Sequence, residues 1–273
     1  MQTTVNNYTL KDNSKGKITA LWLKIIAVVT MFIDHLAASV LLKCLLYHGK
    51  SGFINYDNEM MWWNIYEIMR YIGRMAFPLY CFMLVEGLRY TRNRKKYAIR
   101  LLIFAFISEI PFDMAFNECV LEFKSNNVFF TLFIGLIVIW IMDTIKNKLW
   151  QDNSGQAGAF KIIIKYLLML AVVFTGMAVA EYVLRTDYGA GGVACIVVMY
   201  LLQKDMMLSF GAGVIILGMM CGSIEYLALL MLIPLHFYNG QRGRQVKYFF
   251  YLFYPVHLLL FALVDFIMGF NFM

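Results

Sequence analysis

The pair Asp34-His35 interrupts an apolar run, Val28-Val-Thr-Met-Phe-Ile-Asp-His-Leu-Ala37. Ionisable side chains inside such a run are costly, and by default they mark a pathway or a site. A neutral imidazole at His35 can take a proton from an attacking amine or hydroxyl, so it is the candidate general base. Asp34 lies about 100° away around a helix and is expected to pair with a neighbouring helix rather than with the His35 ring. A hydrogen-bonded pair between helices, with no chemistry, is the bland alternative. Arg70 and Arg74 are one turn apart in Arg70-Tyr-Ile-Gly-Arg74-Met-Ala-Phe-Pro78 and share a face. Their guanidinium groups suit an anionic ligand, ion pairs with Asp34, Glu109 or Asp113, or snorkelling to headgroups. The stretch Ser108-Glu109-Ile-Pro111-Phe-Asp113 places two acids beside a proline. Paired carboxylates serve ion pairing, acid–base chemistry or proton-coupled transport equally well. Tyr188 follows Asp187 ahead of an apolar run, and His257 closes Tyr251-Leu-Phe-Tyr254-Pro255-Val-His257. Pro255 breaks the helix ladder there, so His257 can face a cavity or simply pack.

These residues are set in a chain that water alone would not fold. Of 273 residues, 61% are hydrophobic, 16% aromatic and only 15% charged, and the mean hydropathy is +0.66. Soluble domains are nearer about 45–50% apolar and about 25% charged. The balance excludes a disordered chain and a disulfide scaffold. It predicts an all-α polytopic transmembrane helical bundle. With about 20 residues per crossing, about nine spans are expected: Leu21–Leu46, Tyr66–Leu88, Tyr97–Phe116, Val128–Ile145, Ile162–Val183, Gly189–Leu202, Met206–Met220, Ile224–Phe237 and Tyr248–Phe270. Residues 1–20 are expected as a cytoplasmic tail without a cleavable signal, and 21–273 as a single transmembrane domain.

The net charge of +7 does not point to nucleic acid, because the basic residues cluster in short loops. That is a topology signal. The segment Arg89–Arg100 holds six basic residues, and the N-terminal tail, residues 146–165, Lys204 and the Arg242–Lys247 loop are basic too. Alternate loops carry Asp57, Glu59, Glu118, Glu122 and Asp187. Nine spans then put the N-terminus inside and the C-terminus outside a cell (inner or plasma) membrane. The five cysteines are scattered singly, with no CxxC pair, so neither a metal centre nor a disulfide framework is expected. Topology and anionic lipid explain the Arg89–Arg100 loop. A cradle for a polyphosphate, such as that of coenzyme A, explains it as well.

The stretches Leu23–His35, Arg74–Tyr80, Val85–Tyr97, Ile107–Asp113, Asn127–Leu132, Asp187–Gly189 and Phe253–His257 resemble the TraX family of integral membrane proteins. That family is named for an enzyme that N-acetylates conjugative pilin, and the pilin acceptor does not carry over with the resemblance. A more distant likeness is to acyltransferase-3 type membrane enzymes, which carry a basic residue, ten others and then a His in the first span. Lys24 and His35 have that spacing, about 16 Å along one helical face. The resemblance implies an acetyltransferase drawing on acetyl-CoA. His35, with Asp34 beside it, would be the catalytic pair, and Arg70, Arg74, Glu109, Asp113, Tyr188 and His257 would shape the acceptor site. Lys24, Arg92, Arg94, Lys95 and Lys96 would hold the CoA phosphates. The acceptor, an amine or hydroxyl on a protein N-terminus, a glycan or a small amine, would be presented at the membrane or its outer face. Partners would thus be acyl-CoA, membrane lipids and that acceptor, with no nucleic acid and no metal. A proton-coupled transporter is the rival reading, although the spans show no duplication of the kind many transporters have. A structural part of an envelope or conjugation apparatus is the third.

Overall fold

A computed structural model describes residues 16–47, 54–55, 57–150, 159–244 and 246–270. Most of the predicted tail and His48 lie outside the described residues. What is described is helical, with no strand and two isolated parallel bridges, Ile18 with Tyr238 and Asn126 with Thr186.

The first segment is α1 (Ala20–Leu36), a π turn (Ala37–Leu41) and α2 (Leu42–Leu46). The second is α3 (Glu59–Gly73) and α4 (Ala76–Tyr90), followed by α5 (Arg94–Phe112) with a π turn at Asp113–Asn117. Then come α6 (Val128–Trp150), α7 (Ala159–Ala178) with a π turn at Val179–Val183, α8 (Gly189–Leu201) and α9 (Met206–Cys221). A 3-10 segment (Ser223–Met231) runs into α10 (Leu232–His236), and α11 (Lys247–Ile267) closes the described bundle.

Helices therefore occupy every stretch expected to be a span. Among the described residues, five helical segments are long and apolar enough to cross a membrane: Ala20–Leu46, Glu59–Tyr90, Val128–Asn147, Phe160–Val183 and Tyr248–Ile267. Gly189–Leu201, Met206–Cys221 and Ser223–His236 are apolar but shorter. The chain is built as an integral membrane protein, because each helix satisfies its own backbone while presenting apolar side chains outward. Only 11% of the most apolar stretch of Phe160–Val183 is buried, so nearly all its surface is left for lipid.

Two departures from the sequence expectation have local causes. The second segment starts at Glu59 rather than Tyr66 and breaks at Arg74-Met75, before α4 begins. Pro78 thus falls in the first turn of α4, where its missing N–H costs nothing, and the break between the two helices lies just ahead of it. The other departure is the π turn that follows α1, beginning two residues after His35. Such turns are often found at functional positions.

The core is formed where α1, α4, α6 and α8 meet, with Leu23, Leu79, Leu136, Ile139, Ile196 and Met199 fully buried. Beside it, Lys43 Nζ donates to Asp265 Oδ2 at 2.7 Å and to the Ala115 carbonyl at 3.0 Å, while Ser39 donates to Asp265 at 3.1 Å. Buried charge needs such partners, and this cluster ties both of the first two π turns to α11. Gly73 is where α3 crosses α1 closely. A Cβ there would collide with the Asp34 carboxylate.

Candidate functional site

The histidines of the first and last described segments meet. His35 Nδ1 and His257 Nε2 are 2.7 Å apart, and the two rings lie within 10° of parallel. His257 Nδ1 is in turn 2.7 Å from the Phe253 carbonyl. A carbonyl only accepts, so His257 Nδ1 carries the hydrogen. In the neutral ring its Nε2 is then an acceptor, and His35 Nδ1 must donate to it. His35 Nε2 is left with a free lone pair and no hydrogen bond to a described residue. Phe32, Phe253 and Phe261 pack around His257, and Phe116 and Tyr254 stand edge-on to His35. These aromatic rings pack both imidazoles in place.

His35 lines a cavity of about 290 Å³, together with Asp34, Arg70, Arg74, Asp187 and Tyr188. Asp34 Oδ1 accepts from Arg70 at 2.9 Å and from Arg74 at 2.8 Å. Arg74 also reaches Glu225 at 3.0 Å, so two arginines and two acids form one network across α1, α3, the turn after it and the 3-10 segment. Tyr188 is stacked flat on Phe77, with ring centres 3.6 Å apart. The expectation that Asp34 pairs with a neighbouring helix is met by both arginines. Glu109 and Asp113 are not among the cavity's lining residues or the arginines' partners. Glu109 accepts from the backbone and side-chain amide of Asn127, the residue that caps α6. Asp113 accepts from the Glu122 backbone at 2.7 Å and from Asn117 at 2.9 Å. Glu109 thus holds the start of α6, and Asp113 ties the loop at Glu122 back to the end of α5.

A second cavity, of about 730 Å³, opens at the end of the bundle where Lys24, Arg92, Arg100, Arg242 and Arg244 converge. Among the described residues Glu86 is its one lining carboxylate, and it accepts from the Tyr238 hydroxyl at 2.8 and 2.9 Å. Burial, with Glu86 beside it, raises the Tyr238 phenol well above its ordinary range, so it remains a donor. Aromatic rings alternate with the cations: Lys24 lies 5.6 Å over Phe250 and Arg242 lies 5.8 Å over Tyr90. A large, mostly basic, aromatic-lined mouth suits an anion that also carries flat or apolar parts.

Of the basic residues singled out from the sequence, Lys24 and Arg92 line this mouth. Arg94 does not, because it pairs with Asp143 at 2.7 Å. Lys95 and Lys96 are exposed and lie outside the lining. Arg100, Arg242 and Arg244 take their place. Arg100 follows Lys96 by one helical turn, so an α-helical reading of the basic run would have brought it into view. Glu225 has no comparable local signal.

Met31, Tyr80 and Val128 line both cavities. The basic mouth and the histidine chamber thus share a wall of three residues inside the bundle. Among the described residues, no group of three or more His, Cys, Asp or Glu side chains could hold a metal ion, and the cysteines are free.

Residues 20–265 match the family model described as TraX protein. A curated relative, the probable fimbrial assembly protein FimC, serogroup H1, of Dichelobacter nodosus, is 30% identical over 253 residues, which is 89% of this chain and 93% of the relative. No solved structure matches. The matched residues take in His35, His257, the arginine network and the described lining of the basic mouth, and by that extent the chain belongs to the TraX family.

Proposed function

We propose that this protein is an integral membrane acyltransferase. It moves an acetyl group from cytoplasmic acetyl-CoA to an amine or hydroxyl presented at the membrane or its outer face. The observation that carries the reading is the polarised histidine pair, set one shared wall away from a basic mouth. The mouth is the donor site, with Lys24, Arg92, Arg100, Arg242 and Arg244 against the phosphates. The thioester end reaches inward to the wall formed by Met31, Tyr80 and Val128. The acceptor enters the smaller chamber, oriented by Arg70, Arg74 and Asp187. His35 Nε2 takes its proton as it attacks, and His257 stabilises the resulting imidazolium through the hydrogen bond to His35 Nδ1. Basic loops inside, by the positive-inside rule, put the mouth in the cytoplasm of a bacterial-type inner membrane. The chain then crosses nine times, with Met1 inside and Met273 outside. The relative's description as a fimbrial assembly protein adds a fimbrial subunit to the candidate acceptors, beside glycans and small amines.

The test is mass spectrometry of acetyl-CoA incubated with the purified protein. Release of free CoA well above the rate of a His35→Ala variant supports transfer. Equal rates from both proteins refute it. The buried Asp, Glu and His side chains favour one competing reading, a proton-coupled transporter. It predicts instead that the protein dissipates a pH gradient in proteoliposomes without consuming acetyl-CoA.

A further inference from the structure

Acyl transfer needs more than a base. As the acceptor attacks, the carbonyl oxygen of the thioester gains a full negative charge, and a donor placed at that oxygen is among the largest contributions to such catalysis. The donor must sit where the thioester carbon and the base are both in reach. In this fold that place is the wall between the cavities. Met31, Tyr80 and Val128 are the residues lining both sides, and two of them are apolar. The Tyr80 hydroxyl is therefore the one polar side-chain group on the wall among the described residues.

The neighbouring phenols stand elsewhere. The Tyr238 hydroxyl is bound to Glu86, Tyr254 lines only the larger cavity, and Tyr188 lines only the smaller one. Tyr80 makes no hydrogen bond to any described residue, yet it lines two cavities rather than sitting against a sealed apolar surface. A phenol that faces open cavity space and is not held by the protein is free to donate to an oxygen of whatever binds there. α4 supplies the rigid support, with Phe77, Leu79, Cys81 and Phe82 buried on either side.

We propose that Tyr80 is a catalytic residue whose hydroxyl donates a hydrogen bond to the thioester carbonyl oxygen of the acyl donor, stabilising the oxyanion of the tetrahedral intermediate. This rests on the acyltransferase reading. The acceptor nitrogen or oxygen forms its bond to the carbonyl carbon, and the π electrons of C=O move to oxygen, facing Tyr80. The acceptor's proton passes to His35 Nε2. When the C=O re-forms, the C–S bond breaks, and the thiolate takes that proton from His35 to leave as CoA thiol. Tyr80 keeps its own proton throughout.

The experiment compares the wild-type chain with Tyr80→Phe in acetyl-CoA turnover, measuring kcat and KM for acetyl-CoA separately, with thermal unfolding of each protein in detergent. Phenylalanine keeps the ring, so the variant should fold and unfold as the wild type does. A loss of one oxyanion donor predicts kcat lower by about 10²–10³-fold with KM for acetyl-CoA unchanged. A Tyr80→Phe variant with normal kcat, or one altered in KM alone, overturns the assignment while leaving the acyltransferase reading intact. Absence of His35-dependent turnover in the wild type itself overturns that reading, and this inference with it.

Discussion

Replacing His257 with phenylalanine isolates what the second histidine contributes. Its ring sits among Phe32, Phe253 and Phe261, so a phenyl group fits the same space. The substitution removes the acceptor 2.7 Å from His35 Nδ1 and leaves the ring of His35 in place. In the wild type, that bond becomes charge-assisted once His35 takes its proton. Hydrogen bonds to charged groups contribute about 1.5–3 kcal/mol. At about 1.4 kcal/mol per decade, kcat should drop by about 10–150-fold. Either His35 tautomer also becomes accessible, which adds no more than about a factor of two. KM for acetyl-CoA should stay the same, because His257 does not line the basic mouth. His257→Gln places an amide oxygen near the lost Nε2 and should recover part of the rate. The assay is steady-state CoA release at several pH values, with His35→Ala as the zero. A His257→Phe protein with wild-type kcat would refute the coupled pair, as would a glutamine variant no better than the phenylalanine one.

Asp34→Ala removes a carboxylate shared by two arginines, whose side chains are 27% and 13% exposed. Breaking a buried pair costs about 3–5 kcal/mol, and since Arg74 keeps Glu225 the loss should be near the lower end, read by denaturation in mild detergent. Arg100→Met combined with Arg242→Met should weaken acetyl-CoA binding at low salt and less so at high salt, since exposed charges are screened over about 8–10 Å at physiological ionic strength. Lys95→Gln with Lys96→Gln should leave that affinity unchanged, as isothermal titration can check. Gly73→Ala forces a methyl group against the Asp34 carboxylate. It should destabilise the fold by about 1–3 kcal/mol, visible as a lower unfolding temperature.

Apolar runs long enough to cross a bilayer are unmistakable in one dimension, and every predicted stretch is a helix in the structure. Boundaries were less legible, because Glu59, Trp62, Trp63 and Asn64 are too polar or too interfacial to read as span, yet they extend α3 by two turns. His35 and His257 are each conspicuous as polar residues in apolar runs. Their contact spans 222 positions, and no local pattern announces it. Asp34 pairing with Arg70 and Arg74 was readable because few partners of opposite sign exist at that depth. Charge alone matches Glu109 and Asp113 to the same cations, but a helix start at Asn127 and a loop N–H at Glu122 satisfy them instead. The basic loop shows the remaining gap. Its composition promised an anion site, but helical geometry decides which cations face inward. It turns Arg94 to Asp143 and brings in Arg100 together with Arg242 and Arg244 from a distant loop.

Inside-out vesicles from cells that make the full-length chain test the central claim in one measurement. They present the cytoplasmic face outward and keep the native acceptors in the lumen or the membrane. Radiolabelled acetyl-CoA, which does not cross the bilayer, is added outside, and label retained in acceptor material facing the lumen is counted. The account predicts lumen-facing label in vesicles carrying the wild-type chain and almost none in those carrying His35→Ala. Equal labelling in both, or no labelling in either while the labelled acetyl-CoA stays intact, would contradict it.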